Sequence, residues 1–157
     1  MGGVIPATVR PRAVGDDPEW SRLRHALWPA LTRENHRVEM QAWVTREDAI
    51  ALVAQRADGG LCGFAEVGTR SVADGCDSSP VAYLEGWYVD PDLRGRGVGA
   101  ALVQAAEDWA RARGYLELAS DAELGNVGGQ RAHTGVGFIE VGRAVLYLKS
   151  LARAKPG

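Results

Sequence analysis

Residues 90–115 read DPDLRGRGVGAALVQAAEDWARARGY, and Arg94–Gly99 holds three glycines and two arginines in six positions. Behind them Val98, Ala101, Leu102, Ala105, Ala106, Trp109 and Ala110 share one face of a 3.6-residue period, which predicts an amphipathic helix. Gly114 stands where a helix C-terminal glycine belongs. In front, VAYLEGWYV (81–89) reads as a strand, with Gly86 marking a bulge or a close backbone approach. Strand, glycines and helix together form an anion site. Glycine lets backbone N–H groups approach a phosphate, and the helix N-terminus adds partial positive charge. Arg94 and Arg96 would add charge-assisted hydrogen bonds. The same residues also suit a tight turn with two solvated arginines. Gly97 and Gly99, placed directly before a strong helix, favour the ligand.

Three kinds of phosphate turn compete. A P-loop needs GxxxxGK[ST], which is absent. Gly95, Gly97 and Ala100 spell the dinucleotide pattern GxGxxA, and Glu117 follows Gly95 by 22 residues. Against it, only about forty residues remain after Glu117, too few for the rest of a doubly wound fold. DPDL also separates the strand from the glycines. The third pattern, Arg94-x-x-Gly97-x-Gly99, resembles the acyl-CoA pyrophosphate loop of the GNAT acetyltransferases.

Working outward, ATVRPRAV (7–14) reads as a first strand, and GDDPEWSRLRHALWPAL (15–31) as a helix started by Asp16 or Asp17 with Pro18 in its first turn. ENHRVEMQAWV (34–44) suggests a second helix. AIALVAQRADGGLCGFAEVGTR (49–70) is a hairpin turning at ADGG. SVADGCDSSP (71–80) is a loop by composition. YLELAS (115–120) is a fifth strand and NVGGQRAHTGV (126–136) a weak helix. GFIEVGRAVLYLKSL (137–151) closes as strand-rich sequence, followed by a frayed ARAKPG tail. The pattern predicts a mixed-sheet α/β (α+β) fold, one domain over 1–157 with its core over about 7–151.

Composition limits the partners. The chain is 46% hydrophobic and 24% charged with a net charge of -2, which excludes a general nucleic-acid binder. Cys62 and Cys76 have no CxxC spacing, so no zinc site or disulfide framework is expected. There is no signal-peptide core, no myristoylation pattern at Gly2 and no membrane-spanning run; the expectation is a cytoplasmic protein that engages no membrane.

The loop, its place after WYVDPDL (87–93), the NVGGQRAHTGVGF segment (126–138) and the order of elements resemble the GNAT acetyltransferase superfamily over roughly residues 7–151. The resemblance implies a mostly antiparallel sheet with splayed central strands flanked by helices, and acetyl-CoA as cosubstrate without a metal. It further implies that the backbone at Tyr88 and Val89 binds pantetheine and polarises the thioester. The amides of Arg94, Gly95, Arg96, Gly97, Val98, Gly99 and Ala100 would hold pyrophosphate, and Asn126 would contact the CoA arm. Many members have a tyrosine four residues before the GF glycine as proton donor to the leaving thiolate. Here that position is His133, which suits either an acid or a packing residue.

For the acceptor, the segment between Arg70 and Arg94 holds Asp74, Asp77, Glu85, Asp90 and Asp92 and no lysine or arginine. Asp121 follows the fifth strand. Such acidity suits a polycationic amine. Asp90 and Asp92 read as turn residues, whereas Glu85 inside an apolar strand must face a pocket. LRHALWP (23–29), ENHRVEM (34–40), DGCDSSPVAYLEG (74–86) and ASD (119–121) resemble the aminoglycoside 6′-N-acetyltransferases. That resemblance implies an acceptor site lined by Trp28, Asp77, Glu85 and Asp121, Glu85 as proton acceptor, and a homodimer. Three readings stand beside it: acetylation of another polycationic or small-molecule amine or a peptide N-terminus, a non-enzymatic acyl-CoA sensor, and the dinucleotide fold.

Overall fold

The computed structural model describes residues 3–153. The Gly2 pattern and the last four residues of the ARAKPG tail lie outside the described residues.

Alternation in the hairpin sets the layers. In β2 (Ile50–Arg56), Leu52 and Ala54 face one core cluster while Ala51 and Val53 face another. Side chains two apart share a sheet face, so this strand is buried on both sides. The first cluster packs under α3 (Val98–Ala112) through Val98, Leu102, Val103 and Ala106. The second packs under α1 (Asp17–Leu27) and α2 (Arg33–Val44) through Trp20, Leu23 and Met40. The result is a sheet covered by helices on both faces.

The five strands run in order β1-β2-β3-β4-β5. β1 is Ala7–Pro11, β3 Leu61–Arg70, β4 Val81–Val89 and β5 Leu118–Ser120. β1 to β4 are antiparallel, and β5 lies parallel to β4 after the α3 crossover. α4 (Val127–Gly135) follows β5. Local chemistry explains the ends. Thr32 caps α2 by accepting from the Asn35 N–H at 3.1 Å. Gly114, at φ +84°, leaves α3 in the left-handed conformation expected of a C-terminal glycine.

Two features locate the site. β4 pairs with β5 only over Ala82–Leu84, so from Glu85 to Val89 its outer edge is open and the strands splay. Opposite Glu66 and Val67 of β3 stand Gly86 and Leu84, which leaves Glu85 as the extra residue of a bulge.

The strands expected over 137–151 do not form within the chain. Residues 138–153 carry no regular structure, and inward packing ends at Phe138. The sequence has strand propensity there, but no strand among the described residues pairs with it.

Candidate active site

The bulge turns Glu85 into a cavity of about 480 Å³, within the ~300–1,000 Å³ range of small-molecule sites. Arg24 and Trp28 from the end of α1, Leu31, and Glu39, Ala42 and Trp43 of α2 form its walls. Arg46 and the carboxylates of Glu66 and Glu85 complete it. Gly86 is required here. A Cβ on it would lie 2.6 Å from the Trp28 ring, so the missing side chain lets the indole settle against β4. Trp28 also meets Phe64 edge-on, with centroids 6.0 Å apart.

Glu85 is not free. Arg70 donates to both its oxygens, Nε and Nη2 each at 2.8 Å, in a bidentate pair. The Arg70 guanidinium in turn sits 3.5 Å above the Tyr83 ring. The Tyr83 hydroxyl donates to Asp121 at 2.5 Å. Burial, then the hydrogen bond to Asp121, push the Tyr83 phenol up, so it stays a donor. A chain Glu85–Arg70–Tyr83–Asp121 therefore links the end of β3 across β4 to the residue after β5. It joins two of the acidic residues expected at the acceptor site through a cation and a phenol that the sequence reading did not include.

Beneath the cavity lies a buried ion pair that was also missed. Arg24 and Glu66 are each 2% exposed and bond one another, and Arg24 reaches Glu39 with a second nitrogen. The Trp20 indole donates to Glu66 at 3.1 Å. Burial raises the Glu66 carboxyl and Arg24 opposes that rise. No local signal marks such a pair, because its partners are 42 residues apart and meet only through the packing of α1 on β3.

The other acidic residues separate. Asp77 is exposed and outside the cavity. Its backbone N–H, with the N–H and hydroxyl of Ser78, donates to Glu117 at 2.6–2.9 Å. Glu117 thus fastens the 71–80 loop to the start of β5 and is not free to hold a ribose. Asp90 and Asp92, expected as turn residues, are also anchors: Asp90 is buried and takes Arg22 and Arg56 at 3.0 Å, and Asp92 takes Arg56 at 2.8 Å.

At the far end of the splay stands the glycine loop. Gly95 (φ +71°) and Gly97 (φ +90°) are left-handed, and Gly97 caps α3. Among the described residues the amides of 95–100 have no backbone acceptor outside the helix itself, which leaves them open to an anion. The Arg94 Nε donates to the Val89 carbonyl at 2.8 Å, and its guanidinium lies 5.3 Å from the Tyr88 ring, while Arg96 is exposed. The Trp87 indole donates to the Gly99 carbonyl at 3.1 Å, locking α3 to β4.

His133 and Asn126 lie on α4. Asn126 accepts from the Gly129 N–H at 2.9 Å as helix cap. His133 Nδ1 donates to the Gly129 carbonyl (2.7 Å), and Nε2 meets the Ser120 hydroxyl (2.8 Å) at the point where β4 and β5 part. Trp87 and Phe138 flank its ring. Among the described residues no three His, Cys, Asp or Glu gather as metal ligands, and no helix is long and apolar enough to cross a membrane.

An open strand edge thus lies between the glycine loop and a cavity lined by Glu39, Glu66 and Glu85 together with Arg24 and Arg46. A profile of the acetyltransferase (GNAT) family matches residues 18–138. The chain belongs to the GNAT family. Curated relatives include an aminoglycoside N(6′)-acetyltransferase type 1 of Klebsiella aerogenes, 43% identical over 91% of this chain and 96% of the relative. One of the same name from Serratia marcescens is 42% identical over 84% and 91%. A solved structure of AAC(6′)-Iy with the bisubstrate analogue CoA-S-monomethyl-acetylneamine superposes with a TM-score of 0.86. It is 34% identical and covers 92% of this chain and 98% of its own.

Membership of the GNAT family removes the dinucleotide reading and makes acetyl-CoA the cosubstrate. The open edge of β4 and the unpaired amides of residues 95–100 fit its pantetheine and pyrophosphate.

Proposed function

We propose that the protein transfers the acetyl group of acetyl-CoA to the 6′-amine of aminoglycosides and so confers resistance to them. The observation that carries this is Glu85, turned by the β4 bulge into a cavity that also contains Glu39, Glu66 and the Trp28 ring. Such a pocket suits a flat-faced, multiply charged amino sugar. The relatives named for this activity align over most of the chain. Aminoglycosides rely on their ammonium groups, and acetylation turns one into a neutral amide.

The reaction follows from the residues. An alkylammonium must lose a proton before it attacks. Glu85 accepts that proton, directly or through a water, once the incoming ammonium has displaced Arg70. The thioester of acetyl-CoA supplies the acyl group and the leaving thiolate. The β4 backbone at Tyr88 and Val89 stabilises the tetrahedral oxyanion, and holding two substrates along one strand supplies much of the rate. After attack the nitrogen gives up its second proton, which His133 takes on Nε2, the ring nitrogen not engaged by the Gly129 carbonyl, and passes to the leaving thiolate as the C–S bond breaks. Asp121, with Tyr83, positions a second ammonium; Asp77, on the exposed loop, attracts the cation from outside. The protein works as a single-domain cytoplasmic homodimer.

Purified protein with acetyl-CoA and a thiol reagent tests this. Kanamycin A, with its 6′-amine, should release CoA, and a close analogue with a 6′-hydroxyl should not. Release with neither, alongside turnover of a polyamine, would replace the acceptor and leave the transferase standing.

A further inference from the structure

Ser120 is the last residue of β5 and pairs with Leu84, the last β4 position before the sheet opens. Its hydroxyl touches two groups that compete for its hydrogen. It donates to the Leu84 carbonyl at 3.1 Å and meets His133 Nε2 at 2.8 Å. A serine hydroxyl has one hydrogen and two lone pairs to share. The other ring nitrogen fixes the tautomer. Nδ1 stands 2.7 Å from the Gly129 carbonyl, which can only accept, so Nδ1 carries a hydrogen in either charge state. On the neutral ring Nε2 is therefore the lone-pair nitrogen, and it draws the Ser120 hydrogen away from Leu84. On the charged ring Nε2–H donates to Oγ, and the hydroxyl turns back to Leu84. A rotation about the Cβ–Oγ bond converts one pattern into the other.

The pose of the ring directs Nε2 to Ser120 alone. The Gly129 bond holds one side, and Trp87 and Phe138 flank the ring with centroids 5.1 and 5.3 Å away. The single in-plane lone pair of Nε2 then faces the serine oxygen, so a proton that reaches or leaves the ring crosses that oxygen. The oxygen is well placed to receive one. The carbonyl it touches belongs to the residue before Glu85, where the open edge of β4 begins. The next residue, Asp121, takes the Tyr83 hydroxyl at 2.5 Å. On the other side Trp87, which flanks the ring, is tied to Gly99 of α3. Ser120 is thus linked to an acceptor-site carboxylate in one direction and to the glycine-loop helix in the other. Both Ser120 and His133 are half-buried.

We infer that the Ser120 hydroxyl relays protons between His133 and the reacting atoms. This rests on the acid–base role proposed above for His133 and adds the group that connects the ring to the substrates. In the first transfer the nitrogen of the tetrahedral adduct gives a proton to Oγ and keeps the N–H electron pair, while the original Oγ proton moves to the Nε2 lone pair. The nitrogen becomes neutral and the ring becomes an imidazolium. In the second transfer Nε2 returns its proton to Oγ, and Oγ passes its own to the sulfur, which has left with the C–S electron pair. Amide and CoA thiol are the products, and serine and ring are restored. Between the transfers the hydroxyl hydrogen rests on the Leu84 carbonyl, which keeps Oγ an acceptor for Nε2–H.

Steady-state and single-turnover kinetics test the relay, on kanamycin A or on spermidine should a polyamine prove the acceptor. Ser120→Ala should slow transfer by roughly 10²-fold, with the acceptor KM and the CoA-induced rise in Tm unchanged. Ser120→Thr, which keeps the hydroxyl, should recover most of the rate. His133→Gln should be slowed to a similar extent, and S120A/H133Q no further, because the two residues act in series. Full activity in His133→Gln would overturn the acid–base role and the relay with it. A slow His133→Gln beside a fast Ser120→Ala would overturn the relay alone, as would losses that multiply in the double variant. Should Ser120→Ala not fold, the wild-type single-turnover rate in mixtures of light and heavy water decides. A relay moves more than one proton in the same step, so the rate should curve with the deuterium fraction, and a straight line would overturn it. Absence of transfer to either acceptor would remove the reaction and the relay together.

Discussion

The role proposed for Glu85 sets two incompatible demands, and Arg70 reconciles them. A proton acceptor must be open to the ammonium, yet an unpaired carboxylate in an apolar strand is costly. Arg70 satisfies both Glu85 oxygens, and under the proposed mechanism it yields to the acceptor. Because this pair is partly exposed, screening leaves it worth no more than ~1 kcal/mol to stability. Glu85→Gln should therefore lower kcat by roughly 10²–10⁴, with the CoA-induced rise in Tm intact. Arg70→Ala should leave Tm within a few degrees and lower the acceptor KM several-fold, because the cation no longer displaces a guanidinium. An unchanged KM in steady-state kinetics would show that Arg70 stays in place during turnover. Glu85 was legible in the sequence as a carboxylate out of place in a strand, and Trp28 through the resemblance. Arg70, Arg24 and Glu66 were not, since each acts through a partner chosen by strand register or helix packing.

The loop-helix was the most legible element because its signals are local. Glycine spacing, helical period and C-terminal glycine all lie within 25 residues, and each is found where expected. The Gly86 signal was read as a bulge or a close approach, and the structure shows both at once. Gly97 tests what the loop is for. Its surroundings are open, with the nearest contact to an added Cβ at 3.5 Å, but its φ of +90° is strained for any L side chain. Gly97→Ala should cost on the order of 1–3 kcal/mol locally and swing the amides of residues 95–99 off their common direction. CoA affinity measured by calorimetry should fall about tenfold or more, with the circular dichroism spectrum kept. Full affinity would mean that the arginines, not the amides, hold the pyrophosphate.

At the scale of the molecule, order of elements and sheet class were readable, while the strand-rich reading of 137–151 failed, because strand propensity alone supplies no partner strand. Long-range electrostatics were equally hidden. His36 is an example: in a polar helix it reads as either a surface or a packing residue, and it is fully buried, with its Nε2 donating to the Trp28 carbonyl at 3.2 Å. It thereby joins α2 to the end of α1 at the cavity wall. Burial, then the charges of Arg24 and His25, hold its pKa below the ordinary 6.5, with Glu39 opposing. The folded protein keeps the ring neutral where the unfolded chain would protonate it. The unfolded state therefore binds more protons below about pH 6.5, and stability must fall as pH drops through that value towards the lower folded pKa, by at most ~1.4 kcal/mol per pH unit for one group. The paired carboxylates Asp16 and Glu19, lowered chiefly by Arg10 and Arg22, contribute their own loss only in the acid range below their ordinary values of 3.8 and 4.5. The two windows are separate. Thermal melts between pH 7 and pH 5 should show a falling Tm for the wild type and a nearly flat one for His36→Gln. A wild-type Tm that is constant over this range would mean that the cavity wall opens to water around His36 at little cost.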